Sequence, residues 1–102
     1  MFNLQKITDK IAACKIPVGS HVGFDSPFLT EALAGCGFDF IWIDAEHSAI
    51  DKKDIQNHLL ACRAAGAAGI VRVPWNDHVF IKSVLDMGAD GILLPVVRPL
   101  GE

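Results

Sequence analysis

Apolar positions along this chain follow two alternating periods. Leu4, Ile7, Ile11 and Cys14 recur at helical spacing and predict an N-terminal helix. Ile16 to Val22 predicts a first strand, with Pro17 near its start, where a missing N–H is tolerated. Ser26-Pro27 reads as a helix cap followed by proline in the first turn. Leu29, Ala32, Leu33 and Cys36 form the apolar stripe of that helix, and Gly37 is placed to end it in a left-handed conformation. Phe38 to Ile43 predicts a second, nearly continuous apolar strand. Asp51 opens the next helix, with Asp54 in its first turn, where negative charge suits the helix dipole. Ile55, Leu59 and Cys62 mark its inner face, and Gly66 stands near its end. Ile70 to Val73 predicts a third strand. Asn76-Asp77 begins a helix carrying Phe80, Ile81, Val84 and Leu85, which Gly88 stops, and Gly91 to Pro95 is the fourth strand.

Strands alternating with helices over short connections require right-handed crossovers and a parallel sheet. The fold class is α/β. Four such strands make either an open doubly wound sheet or half of an eight-stranded barrel. No glycine-rich dinucleotide fingerprint follows the first strand, where Gly19 and Gly23 alone are a weak signal. Polar groups gather after several different strands, which favours a TIM (β/α)8 barrel. On this reading the chain holds an N-terminal helix and about the first four βα units. No helix follows the fourth strand, and two bare parallel edges are an aggregation hazard. We therefore expect residues 1–102 to be the N-terminal half of a longer barrel domain, the alternative being a half-barrel that pairs with another chain.

Composition narrows the possibilities. The chain has 102 residues, within the size of one domain. A hydrophobic fraction of 51% and a mean hydropathy of +0.35 suit interior strands covered by helices. A net charge of −3 gives no basic surplus for nucleic acid. No apolar run approaches the ~18 residues that cross a bilayer, and the start Met-Phe-Asn-Leu-Gln-Lys lacks the pattern of a signal peptide. Cys14, Cys36 and Cys62 are isolated, with no CxxC or Cys-His cluster, so zinc is not expected. We read them as three reduced, buried thiols of a cytoplasmic protein.

The chemistry concentrates where Phe38-Asp-Phe-Ile-Trp-Ile-Asp-Ala-Glu-His47 turns from apolar to polar. In α/β barrels, the carboxyl ends of strands carry active sites. His47 there can act as a general acid or base, or simply satisfy a loop. Arg72 ends the third strand among apolar neighbours and needs an anion, either a salt bridge with Asp44 or a ligand carboxylate or enolate. Asp86 lies near the end of a helix, where its charge opposes the dipole. A histidine partner would compensate it, and a solvated surface carboxylate is the plainer alternative. Asp44, Glu46 and His47 are too few for a full octahedral metal set. His58 and His78 look helical and exposed, and His21, ending the first strand, lines the pocket without an assigned role. Lys15 lies at the opposite end of its strand and Lys52, Lys53 and Lys82 on helices, which argues against a Schiff-base mechanism.

The runs Gly37 to His47, Ile70-Val-Arg-Val-Pro74 with Asn76-Asp77, and Leu85-Asp-Met-Gly-Ala-Asp-Gly-Ile-Leu-Leu-Pro95 together resemble the HpcH/HpaI aldolase family. These are class II, metal-dependent pyruvate aldolases (aldehyde-lyases) of aromatic or sugar acid catabolism. The resemblance covers almost the whole chain and implies a TIM barrel of roughly 250 residues. It implies reversible retro-aldol cleavage of a 4-hydroxy-2-oxo acid to pyruvate and an aldehyde. It implies that His47 is the catalytic histidine, Asp86 the aspartate paired with it, and Arg72 the arginine that polarises the keto oxygen. Asp44 and Glu46 match the acidic residues of the same motif, expected to serve in substrate binding. The implied cofactor is a divalent ion, Mg²⁺, Mn²⁺ or Co²⁺, with no ligand in this chain and the metal-binding Glu and Asp expected beyond Glu102. A chain of this length alone would then be inactive. A homo-oligomer is expected, with no nucleic-acid or membrane partner. The tail Val96-Val-Arg-Pro-Leu-Gly101 strays from the family pattern. The competing reading is a non-catalytic half-barrel that self-associates or acts as a binding module. A barrel enzyme for phosphorylated sugars has no support, because barrel phosphate loops follow the seventh and eighth strands.

Overall fold

Each crossover helix begins on a side chain that satisfies its free N–H groups. In the computed structural model, which describes residues 2–47 and 50–95 (residue 2 by its backbone alone), Ser26 accepts from the Leu29 amide and caps α2, Pro27–Ala34. Asp51 and Asp54 exchange side-chain and backbone bonds in a full capping box at the head of α3, Lys52–Ala65. Asp77 accepts from Val79 and caps α4, His78–Asp86. α3 ends at Gly66 with φ +88, a conformation that only glycine adopts at low cost. α1 spans Phe2–Ala12. The tail from Val96 lies outside the described residues.

The strands are β1 (Gly19–Val22), β2 (Phe40–Asp44), β3 (Ala68–Arg72) and β4 (Gly91–Leu93), all parallel and in the order β1-β2-β3-β4. Sequential order decides between the two architectures left open above. With every crossover right-handed and every strand added on the same side, α2, α3 and α4 fall on one face. A doubly wound sheet would reverse its order and cover both faces. The other face carries none of these three helices, as on the inside of a barrel segment.

Side-chain alternation sorts residues between the two faces. Val22, Ile41, Ile43, Val71 and Val73 are fully buried against Ala34, Ile55, Leu59, Cys62 and Val84 of the helices. The inner face carries Gly19 and His21, Phe40, Trp42 and Asp44, Ile70 and Arg72, and Gly91 and Leu93. At Gly19 a Cβ would stand 2.3 Å from the Phe40 ring, which would have to move. α1 lies across the amino ends of the strands. It is tied by Asn3 Nδ2 to the Ala67 carbonyl (3.0 Å) and by Lys10 Nζ to Asp39 (2.8 Å).

Several expectations need correction. β1 begins at Gly19 rather than Ile16, and β2 runs on to Asp44. α2 buries Thr30 and Ala34, while Leu29 and Cys36 face outward. Two of the three thiols are exposed, Cys14 and Cys36. Only Cys62 is buried, and burial pushes its thiol up to about 12. His58 is fully buried, whereas His78 is exposed as expected. No helix among the described residues is long and apolar enough to cross a membrane.

Candidate active site at the carboxyl rim

Asp44, the last residue of β2, is the centre of the site. It is 3% exposed. Arg72, its register partner on β3, donates to it twice, Nε to Oδ1 at 3.1 Å and Nη2 to Oδ2 at 2.5 Å. The backbone N–H groups of Glu46 and His47 donate to Oδ1 at 3.0 and 2.9 Å. His21 on β1 places Nε2 3.2 Å from Oδ2. Burial by itself would raise the Asp44 pKa. The guanidinium, the two amides and the imidazole outweigh it and hold the carboxyl well below the usual range. Arg72 is shifted the opposite way, upward, chiefly by its hydrogen bond to Asp44.

Arg72 therefore uses one edge of its fork on Asp44, and Glu46 Oε1 lies 3.5 Å from its Nε. The salt bridge weighed above is present. Nη1 has no protein acceptor among the described residues, so the same guanidinium retains donors for a ligand. Its carbon sits 4.6 Å from the centre of the Trp42 ring, a cation–π contact that fixes its plane. Trp42 also packs edge-on against His21, with ring centres 4.8 Å apart. The indole N–H is buried with no acceptor among the described residues.

His47 stands at the outer margin, its side chain 68% exposed, with Nε2 3.0 Å from Glu46 Oε1. Asp44, Glu46, His47 and Arg72 thus share one rim. Asp86 does not join them within this chain. It ends α4, five residues before β4 begins, and the neighbouring Met87 carbonyl meets Arg63 near the end of α3. A crossover helix runs back to the amino ends of the strands, so Asp86 stands at the opposite rim. There it is 69% exposed and 3.5 Å from Lys82.

A divalent ion fits poorly on the residues present. No group of three or more His, Cys, Asp or Glu among the described residues could hold one, and Asp44 and Glu46 already face Arg72, His21 and His47. We assign no step to an ion here. The groove between α2 and α3, lined by Pro27, Phe28, Leu60 and Ala64, lies on the helix-covered side and offers little chemistry beyond Glu31.

A sequential parallel sheet with its crossover helices on one face and charged groups at its carboxyl rim is the arrangement of a barrel segment. The sequence profile of the HpcH/HpaI aldolase/citrate lyase family matches residues 18–99, and the chain belongs to that family. It is 35% identical over 94 residues to a 4-hydroxy-2-oxo-heptane-1,7-dioate aldolase of Salmonella dublin, covering 92% of this chain and 36% of that protein. Among solved structures it resembles an HpcH/HpaI aldolase from Desulfitobacterium hafniense, with a TM-score of 0.79 and 29% identity over 90% of this chain and 36% of that one. It also resembles the citrate synthase SbnG, with a TM-score of 0.82 and 34% identity over 90% of this chain and 38% of that one. The fold is accordingly of TIM-barrel type, and the chain spans little more than a third of the relatives it matches.

Proposed function

We propose that this chain is the amino-terminal part of a carbon–carbon lyase that cleaves a 4-hydroxy-2-oxo acid to pyruvate and an aldehyde. The single observation that carries the proposal is the cluster Asp44–Arg72–Glu46–His47, assembled from the ends of two adjacent strands on one rim. Asp44 stays ionised and holds the Arg72 fork, which leaves Nη1 to meet the keto oxygen as negative charge develops on it. His47, with Glu46 beside it, exchanges a proton with the substrate at the open margin. The divalent ion associated with this family would draw its ligands from outside this chain, and the aldehyde partner is likewise chosen by residues elsewhere.

The likeness to SbnG, a citrate synthase, favours a second reading with the same electrophilic handling: an enolate used for bond formation instead of release. A coupled assay of pyruvate release by the full-length gene product, with Mn²⁺ and a panel of 4-hydroxy-2-oxo acids, separates the two. Metal-dependent release that Arg72→Ala abolishes is the expected result. Condensation without cleavage selects the second reading, and absence of both contradicts the proposal.

A further inference from the structure

Asp44 fixes Arg72 along one edge of its fork only. Nε and Nη2 donate to that carboxylate, and two bonds along one edge still let the guanidinium tilt about the line joining those nitrogens. Nη1 lies off that line in the rigid, planar fork, so a tilt swings it toward or away from a ligand. Trp42 is placed to oppose the tilt. It precedes Asp44 by two residues on β2 and shares its face of the sheet, one layer below the rim. The Arg72 guanidinium carbon sits over its ring, 4.6 Å from the centre, where the negative face of an indole attracts a cation. The indole is held in turn by the His21 ring, 4.8 Å away between centres with planes 67° apart, and His21 reaches Asp44 at 3.2 Å. Asp44, Arg72, Trp42 and His21 thus close a circuit of contacts across three strands.

No hydrogen bond among the described residues accounts for a tryptophan at this position. Its indole N–H is buried without an acceptor there, although a buried tryptophan usually finds one. What the circuit uses is the flat π surface. We propose that Trp42 is a positioning residue of the lyase reaction: its ring sets the tilt of Arg72 at which Nη1 faces the keto oxygen as charge develops on it. Trp42 itself exchanges no proton and touches no reacting atom. Angle matters because misplacing a stabilising group by about 1 Å can cost about a hundredfold in rate. An aliphatic side chain would fill the space below the fork without attracting it, so Arg72 would keep Asp44 and lose its angle. This role rests on the lyase reading above.

The test is pyruvate release from a 4-hydroxy-2-oxo acid by the full-length gene product with Mn²⁺, with kcat and KM read separately. Trp42→Leu and Trp42→Met both remove the ring, so the result does not hang on one substitution folding. Trp42→Phe keeps a ring without the N–H. For the Leu and Met variants kcat is expected to fall about tenfold or more with KM changed less than about twofold, the Phe variant lying between them and the wild type. The same Trp42→Leu change is then made beside Arg72→Lys, which leaves no planar fork to orient. There its further cost is expected to shrink to less than about threefold. Equal fold-losses in the two backgrounds overturn the proposal, because Trp42 then acts on the shape of the barrel and not through Arg72. Wild-type kcat in the Leu and Met variants overturns it, as does a Phe variant as slow as they are, since the N–H would then carry the effect. Each of these results leaves the lyase reading standing, whereas a wild-type protein that releases no pyruvate sinks both.

Discussion

The two ends of the sheet use the same side chain for opposite purposes. At the amino rim, Asp39 accepts from Lys10 and from the Val18 amide, and Asp90 accepts from the Gly69 amide. Those carboxylates close the backbone at the strand starts and tie down α1. At the carboxyl rim, Asp44 gathers a guanidinium and an imidazole, each of which keeps polar atoms without partners among the described residues. The amino-rim carboxylates are spent on strand starts and on α1, whereas Asp44, which also takes two loop amides, holds side chains as well. A carboxylate that organises side chains with spare donors and acceptors prepares a site for something else.

The sharpest way to break this contrast is Asp44→Ala. It strips a buried partner from Arg72 and His21 together, and about 3–5 kcal/mol of stability should disappear, read as a lower urea midpoint, along with all pyruvate release. Asp44 also sets the acid behaviour. Its folded pKa is depressed, so its stabilisation is complete above the ordinary carboxylate value of ~3.9 and is lost as pH falls toward the folded value. Asp44→Asn should flatten that limb in urea titrations.

A control outside the Asp44 cluster comes next. His58 bridges Thr30 Oγ1 and the Phe24 carbonyl, each at 2.6 Å, inside the helix layer. His58→Ala should cost roughly 3 kcal/mol by cavity and unpaired groups. Burial lowers its pKa, so the unfolded chain takes up the proton first as pH falls below ~6.5, and stability declines there. The variant should lose that part of the pH dependence.

At the closed rim, Asp39→Asn should lower the thermal midpoint of the full-length protein and leave its kcat/KM unchanged. A fall in turnover with intact stability would erase the distinction between the rims. The smallest effect belongs to Asp86→Asn, whose surface pair with Lys82 predicts a change below ~0.5 kcal/mol in chemical denaturation.

Much of the fold was legible because its signals are local. Ser26, Asp51 and Asp77 announce helix starts by capping chemistry, and the continuous run through Ile41 and Ile43 can only be a strand covered on both sides. The misread stripe of α2 has a physical cause: a helix of eight residues offers barely two turns, and apolar Phe28 and Leu29 face outward. His58 was misjudged by residue type, although its spacing from Ile55 and Leu59 already put it on the inner face of α3. At the site, the strand ends gave Asp44 and Arg72 their level, and register confirms it. His21 carried a fainter clue, lying two residues from Gly19 and so on the inner face. Asp86 illustrates a different limit. Motif spacing says nothing about which end of the sheet a residue occupies, whereas topology assigns the end of a crossover helix to the amino rim.

The most direct measurement is a crystal structure of the full-length gene product soaked with pyruvate. The keto oxygen is expected within about 3.2 Å of an Arg72 terminal nitrogen, with His47 bordering the same opening. Pyruvate seated away from that rim, with Arg72 still engaged only by Asp44 and Glu46, would contradict that expectation.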